Sequence, residues 1–192
     1  MVRSVTKLTA LLAVVAASGA NAGDYDTQMA AYLESSVRSW ATSPVIIDAV
    51  LAGNAQNGGY DQAKIDELDT AWRAQVGSGS APLIEPVITG PVADYLREQM
   101  AATGGQITEI ILMDAKGLNV AASDVTSDYW QGDEEKHSMT FVVGPDAVHF
   151  GEIEFDESSQ RYQAQISFTI TDPASGAPIG AMTVGVDGEA FM

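Results

Sequence analysis

The 192-residue chain contains no cysteine, which excludes disulfides, thiolate metal sites, a thiol nucleophile and an acylated lipoprotein-type cysteine in any compartment. Packing alone must hold the fold. Positive charge is also scarce: nine lysines and arginines stand against 26 aspartates and glutamates, a formal charge of −17. Attraction to phosphate backbones or anionic lipid is therefore disfavoured, and no nucleic acid partner is expected. There are two histidines, His137 and His149, and neither has a second ligand candidate at metal-binding spacing; both are expected at ordinary surface or strand positions, and no metal or cofactor is implied. The G-x-S-x-G, G-x-x-x-x-G-K-[ST], G-x-G-x-x-G and H-E-x-x-H signatures are all missing, so recognition rather than catalysis is the expected chemistry. The acidic run Asp133-Glu134-Glu135 lacks the alternation of a calcium loop and reads as a solvated face.

What is present is enough apolar content, 46%, to bury one domain's core. The first 22 residues read as a secretory signal: cationic Arg3 and Lys7, the apolar run Leu8 to Ala17, and small residues at Ala20-Asn21-Ala22. That run is well short of the roughly 20 residues a spanning helix needs, and no later stretch approaches that length. The expectation is a mature chain, 23–192, exported to a periplasm or secreted, not spanning the membrane, and still more acidic once Arg3 and Lys7 are gone.

From about residue 24 to 104 the apolar positions keep a helical period. Met29, Leu33, Val37 and Trp40 form one stripe of a long leading helix that must dock on something. A second helix is predicted from Ser43-Pro44 through Ile46, Ile47, Val50 and Leu51 to Gly53, followed by a loop from Asn54 to Gly59. A third carries Ile65, Leu68, Trp72 and Val76, ended by Gly77-Ser-Gly-Ser80, and a fourth carries Val92, Leu96 and Met100 from Pro91 to Gly104-Gly105.

After Gln106 the period becomes two and the residues β-branched and aromatic, which predicts a sheet over about 106–190. Ile107 to Met113, the turn Asp114-Ala-Lys-Gly117 and the partner Leu118, Val120 and Ala122 read as a hairpin. Further strands are predicted at Met139 to Val143, Val148 to Phe155, Tyr162 to Ile170 and Ile179 to Val186, with Asp156 to Gln160 as one joint. Alternation of Tyr162, Ala164, Ile166, Phe168 and Ile170 with polar residues predicts one buried and one wet face. The fold class is α+β, a helical half packed on an antiparallel sheet of about five or six strands.

Between the hairpin and the later strands lies Ser123 to Lys136, which gathers Asp128, Tyr129, Trp130, Gln131, Asp133 and Lys136. Aromatic walls with a few convergent polar groups suit a small-molecule pocket. Equally, Tyr129 and Trp130 could plug the sheet's open end while Asp128 caps a helix. The stretch Ile110 to Lys136, with its Asp-x-x-Gly turn, Ser123-Asp124 pair and Tyr129-Trp-Gln-Gly-Asp-Glu134 segment, resembles the core of a single Cache domain, a PAS-like extracytoplasmic sensor module. Ile170 to Asp187 is similar to that family's closing strands.

The resemblance implies a sensor whose pocket lies between the sheet and the 129–136 loop, bordered by Tyr129, Trp130, Gln131 and Asp133 and anchored by Asp128, with Tyr162 and Asp172 placed there by strand order. It implies a small polar or charged ligand such as an amino acid, amine or carboxylate, held as that loop closes with its aromatic rings packed on it. Asp128 and Asp133 favour a cationic group and Lys136 a carboxylate. Receptors of this family continue into a membrane helix and a signalling domain, whereas this sequence stops at Met192, so a separate membrane receptor or sensor kinase is the expected reader. Two alternatives stay open: an interaction or homodimerisation module using Leu33, Val37 and Trp40 of the leading helix, and a hydrolase with an unrecognised carboxylate pair.

Overall fold

The computed structural model describes residues 22–156 and 161–191. Residues 1–21, which hold nearly all of the segment read as a signal, and 157–160, most of the expected joint, lie outside the described residues. The leading helix is a continuous rod of three parts: α1 (Ala22–Tyr32), a π turn (Leu33–Val37) and α2 (Arg38–Ala41). Four-residue steps from Met29 to Leu33 to Val37 overshoot an α-helical turn by about 40° each. The wider π turn takes up that overshoot and keeps the stripe facing the core. Met29, Leu33 and Val37 are at most 2% exposed, so the stripe is consumed within this chain, and a dimer through Leu33, Val37 and Trp40 is not what it serves.

α3 (Pro44–Asn57) starts after an extended Ser43, as expected, but runs through Gly53 to Asn57, where a loop was predicted. The polar residues that suggest a loop point inward. Asn54 donates to the Ile179 carbonyl (2.6 Å) and accepts from the Ala115 amide (2.8 Å), and Asn57 donates to Asp114 Oδ2 (2.8 Å). Gly53 belongs in the helix because a Cβ there would come within 2.7 Å of Val120 Cγ2. α4 (Gln62–Gln75) is capped by Asp61, which accepts from the Lys64 amide, and a short α5 (Glu85–Ile88), not predicted, precedes α6 (Pro91–Ala102). Val76, assigned to the buried face of α4, sits just past its end and is exposed.

The sheet is antiparallel and six-stranded: β1 (Ile107–Asp114), β2 (Asn119–Ala122), β3 (Val148–Phe150), β4 (Glu154–Asp156), β5 (Arg161–Thr171) and β6 (Pro178–Asp187). Its order is β2-β1-β6-β5-β3, with β4 also on β5. One face, carrying Ile110, Leu112, Ile166, Phe168, Met182 and Val184, buries against the leading helix, α3 and Leu96 of α6. This is the α+β, PAS-like arrangement that the resemblance implies.

Two strand readings change. The apolar run from Met139 to Val143 is not a strand: it follows α7 (Glu135–Ser138) as turns, with Phe141 packed over Met113 and Ala181 and with Val142 and Val143 exposed. A short apolar run has no period of its own to separate the two outcomes. The predicted strand from Val148 to Phe155 is broken between β3 and β4. The other face of β5 is not uniformly wet, because α7 packs over β5 and β6. Ser167 is buried and shares a hydroxyl hydrogen bond with Thr183 (2.9 Å), and Thr169 donates to the Gly144 carbonyl (2.7 Å). Tyr162, expected inside, is half exposed.

Candidate functional site

The sheet face away from the leading helix is covered only in part. α7 and Phe141 close the end near Met113 and Ala181. The other end stays open as a cavity of about 1280 Å³, floored by Glu109 and Ile111 of β1 and by Gln163 and Gln165 of β5. One wall is the 124–136 segment and the other runs from His149 to Phe155. In β1 the register shifts between Ile107 and Glu109. That bulge lets Ile107 and Ile110 both face the core while Thr108 and Glu109 both reach the cavity lining.

The 126–131 wall is fixed from behind by a second, smaller core of Ile65, Trp72, Ile84, Val87, Leu118, Ala122 and Tyr129. Trp72 stacks on Tyr129, ring centroids 5.1 Å apart, and its Nε1 donates to the Thr126 carbonyl (2.9 Å). Asp69 on α4 accepts from the Tyr129 and Trp130 amides (2.9 and 3.1 Å), and Arg73 one turn on bridges Asp69 (2.8 Å) to Asp128 (3.4 Å). Asn119 donates to Thr126 Oγ1 and to the Asp128 carbonyl. Gln131, 1% exposed, donates from its amide nitrogen to Asp128 Oδ1 at 2.5 Å.

Of the residues singled out in the sequence, Asp128, Gln131, Asp133 and Lys136 line the cavity together. Tyr129 and Trp130 do not: Tyr129 lies in the second core, and Trp130, half-buried against that core, donates from Nε1 to the Lys116 carbonyl (2.8 Å). Their rings plug the sheet edge, one of the two roles the sequence left open, and the aromatic ring in the lining is Phe155. Tyr162 stands beside it, edge-on to Phe155 at 5.3 Å, and is not itself a lining residue. Asp172 lies apart, in the turn between β5 and β6. There the Ser175 hydroxyl and the Ala174 amide donate to its carboxylate and hold its pKa below the usual range.

Of the two histidines, His149 takes a strand position as expected and His137 does not. His149, on β3, lines the cavity with Nε2 3.3 Å from Glu135. His137 is buried in α7, stacked on Phe141 at 5.2 Å; burial pushes its pKa down, with Asp114 pulling the other way.

Sequence reasoning missed Glu109, Glu152, Glu154, Gln163 and Gln165 in the lining and Asp69 and Arg73 behind it. Asp69 and Arg73 do show helical i, i+4 spacing, but nothing local ties that pair to residue 128. Among the described residues, eight carboxylates line the cavity against one lysine and one histidine, and Lys136 is itself paired with Glu134 at 3.0 Å.

Burial, then the charges of Asp114 and Tyr60, push the Tyr129 phenol up to about 12. An unfolded tyrosine ionises near 10. The folded state therefore holds this proton more tightly, and the associated stability is intact below pH 10 and lost between about pH 10 and 12. Alkaline unfolding monitored by circular dichroism should show a loss on the order of 2 kcal/mol across that window that disappears in Tyr129→Phe. An unchanged alkaline limb in the variant would place the ring in a wetter site.

No protein-family model matches the chain, and no curated protein matches it. Among solved structures it is similar to the sensor domain of the V. cholerae histidine kinase DctB, at 15% identity over 88% of this chain and 54% of that one, with a TM-score of 0.49. It is similar to the ligand-binding domain of the Campylobacter jejuni chemoreceptor Tlp3 in complex with 4-methylisoleucine, at 10% identity over 81% and 65%, TM-score 0.41. A third is the ligand-binding domain of the Pseudomonas aeruginosa amino acid chemoreceptor PctC in complex with GABA, at 12% identity over 89% and 63%, TM-score 0.41. The chain thus spans between about half and two thirds of the length of these structures.

Proposed function

We propose that this chain is an exported sensor domain that binds a small polar or charged molecule in the cavity between the sheet and the 124–136 wall. The observation that carries the reading is that cavity: a rigid sheet floor, a wall hydrogen-bonded in place, and polar groups converging on about 1280 Å³ of space. The likeness of residues 110–136 to a single Cache domain supports the same reading, and the basic, apolar and Ala-Asn-Ala pattern of 1–22 supports export. Among the described residues no helix is long and apolar enough to cross a membrane. A separate membrane receptor or kinase is the proposed reader of the bound state. Binding is proposed to act on Gly132 to Lys136 and on the β3–β4 side, since 126–131 is already fixed from α4.

A thermal-shift screen of the purified protein against amino acids, amines, organic acids and purines tests this. A ligand that binds only the folded state at about 100 times its dissociation constant adds about 2.7 kcal/mol, a shift of several degrees for a domain of this size. A response confined to one chemical class supports the sensor reading. A flat screen sinks it and favours an interaction module, for which the exposed Met139, Val142 and Val143 beside α7 are the apolar surface.

A further inference from the structure

The charge and hydrogen-bonding state of the cavity narrows the ligand further, on the premise that the cavity is the binding site. Gln131 is buried, yet it belongs to the lining. Its amide nitrogen is fixed by Asp128, donating to Oδ1 (2.5 Å) and to the carbonyl (3.3 Å). Both partners accept only, so the amide cannot turn over, and Oε1 must be the free end. Oε1, itself buried, has no hydrogen-bond partner among the described residues. A buried acceptor left unpaired is costly, and a ligand N–H would satisfy it.

The charges point the same way. Lys136, the one lysine or arginine among the described lining residues, is engaged by Glu134 (3.0 Å), His149 Nε2 lies 3.3 Å from Glu135, and Arg73 behind the wall faces Asp69 and Asp128. Asp124, Asp133, Glu152 and Glu154 form no ion pair with a described residue. A cleft walled by one sign of charge concentrates the opposite ion and repels carboxylates. Among the described residues no three His, Asp or Glu side chains are grouped closely enough to hold a metal ion. The negative charge is spread rather than focused, and Ile111, Val125 and Phe155 in the lining provide apolar contact for an alkyl chain.

We propose that the cavity takes an organic cation bearing N–H donors, a primary amine or diamine, with Gln131 Oε1 accepting one N–H and Asp133 with its neighbouring carboxylates supplying the countercharge. Three probes test it by calorimetry and thermal shift on the purified protein: putrescine, its hexamethylated bis-quaternary analogue, and succinate. Putrescine should bind and raise the melting temperature, more weakly as salt is added. The quaternary analogue, equal in charge but without N–H, should bind about tenfold more weakly, the loss of one charge-assisted hydrogen bond. Gln131→Met should lose a similar factor for putrescine and little for the analogue, and Asp133→Asn should weaken both probes. If Gln131→Met does not fold, the two dications on the unaltered protein still decide the acceptor. Equal affinity for both dications overturns the role of Gln131. Binding of succinate in place of putrescine overturns the sign of the ligand while leaving the sensor reading standing. No response to either dication overturns the inference, and the broader screen then judges the sensor reading separately.

Discussion

Trp72→Ala is expected to lower the stability of the domain by about 3–5 kcal/mol, the range for deleting a fully buried large aromatic side chain. Trp72 has 0% exposure, sits at the centre of the second core, stacks on Tyr129 and donates to the Thr126 carbonyl. The loss therefore falls on the element that fixes the cavity wall rather than on the main core against the leading helix. Chemical denaturation should register it as a lower midpoint. Native-state hydrogen exchange should show the Tyr129, Trp130 and Gln131 amides, which are bonded to Asp69 and Gly117, losing more protection than the amides between β5 and β6. Trp72→Phe, which keeps an aromatic stack but leaves the Thr126 carbonyl unpaired, should lose about 1 kcal/mol plus a smaller packing term. A Trp72→Ala variant within 1 kcal/mol of the parent would mean that α4 is not what holds the wall.

The second large effect is at Asp114, a carboxylate with 0% exposure at the tip of the β1–β2 hairpin. Its Oδ1 accepts from the Lys116 and Leu118 amides (2.8 and 3.0 Å), and its Oδ2 accepts from Asn57 Nδ2 (2.8 Å). Asp114→Ala removes the acceptor from three donors at once and should lower stability by about 3 kcal/mol, because buried donors left unpaired forfeit their hydration without replacement. Asp114→Asn should lose far less, under about 1 kcal/mol. It keeps Oδ1 for the turn, and Asn57, whose own Oδ1 has no partner, can turn its amide over to accept from the new nitrogen. Urea denaturation of the two variants decides it. An asparagine variant as unstable as the alanine one would show that the negative charge itself, not the count of acceptors, is what the turn requires.

Both residues show how far the sequence could be read. The Asp114-Ala-Lys-Gly117 turn was legible because its signal is local: a side chain that accepts from amides two and four residues on, and a glycine at φ 80°. The role of Asn57 was not legible. Asn54 to Gly59 is rich in loop formers, and the helical conformation of Asn54 to Asn57 depends on Asp114, Ala115 and Ile179, more than fifty residues away in the chain. Met139 to Val143 failed for a related reason, since a five-residue apolar run can serve as a strand or as a plug over another strand's end, and only the packing of Phe141 on Met113 and Ala181 decides.

The sequence by itself determined what periodicity and composition encode: a helical half, an antiparallel sheet, a docked leading helix, an acidic and cysteine-free chain, and a 128–136 segment dense in polar and aromatic groups. Only the tertiary structure decided which side of that segment faces the cavity. Tyr129 and Trp130 turn towards Trp72 and the sheet edge, while Asp128, Gln131, Asp133 and Lys136 turn towards β1 and β5. The strand-to-strand register and the β1 bulge bring Glu109, Gln163 and Gln165 beneath them. Local spacing sets which residues share a face of one element. Which faces meet depends on contacts between residues far apart in the chain, whose loop-closure entropy is offset only by the packed whole.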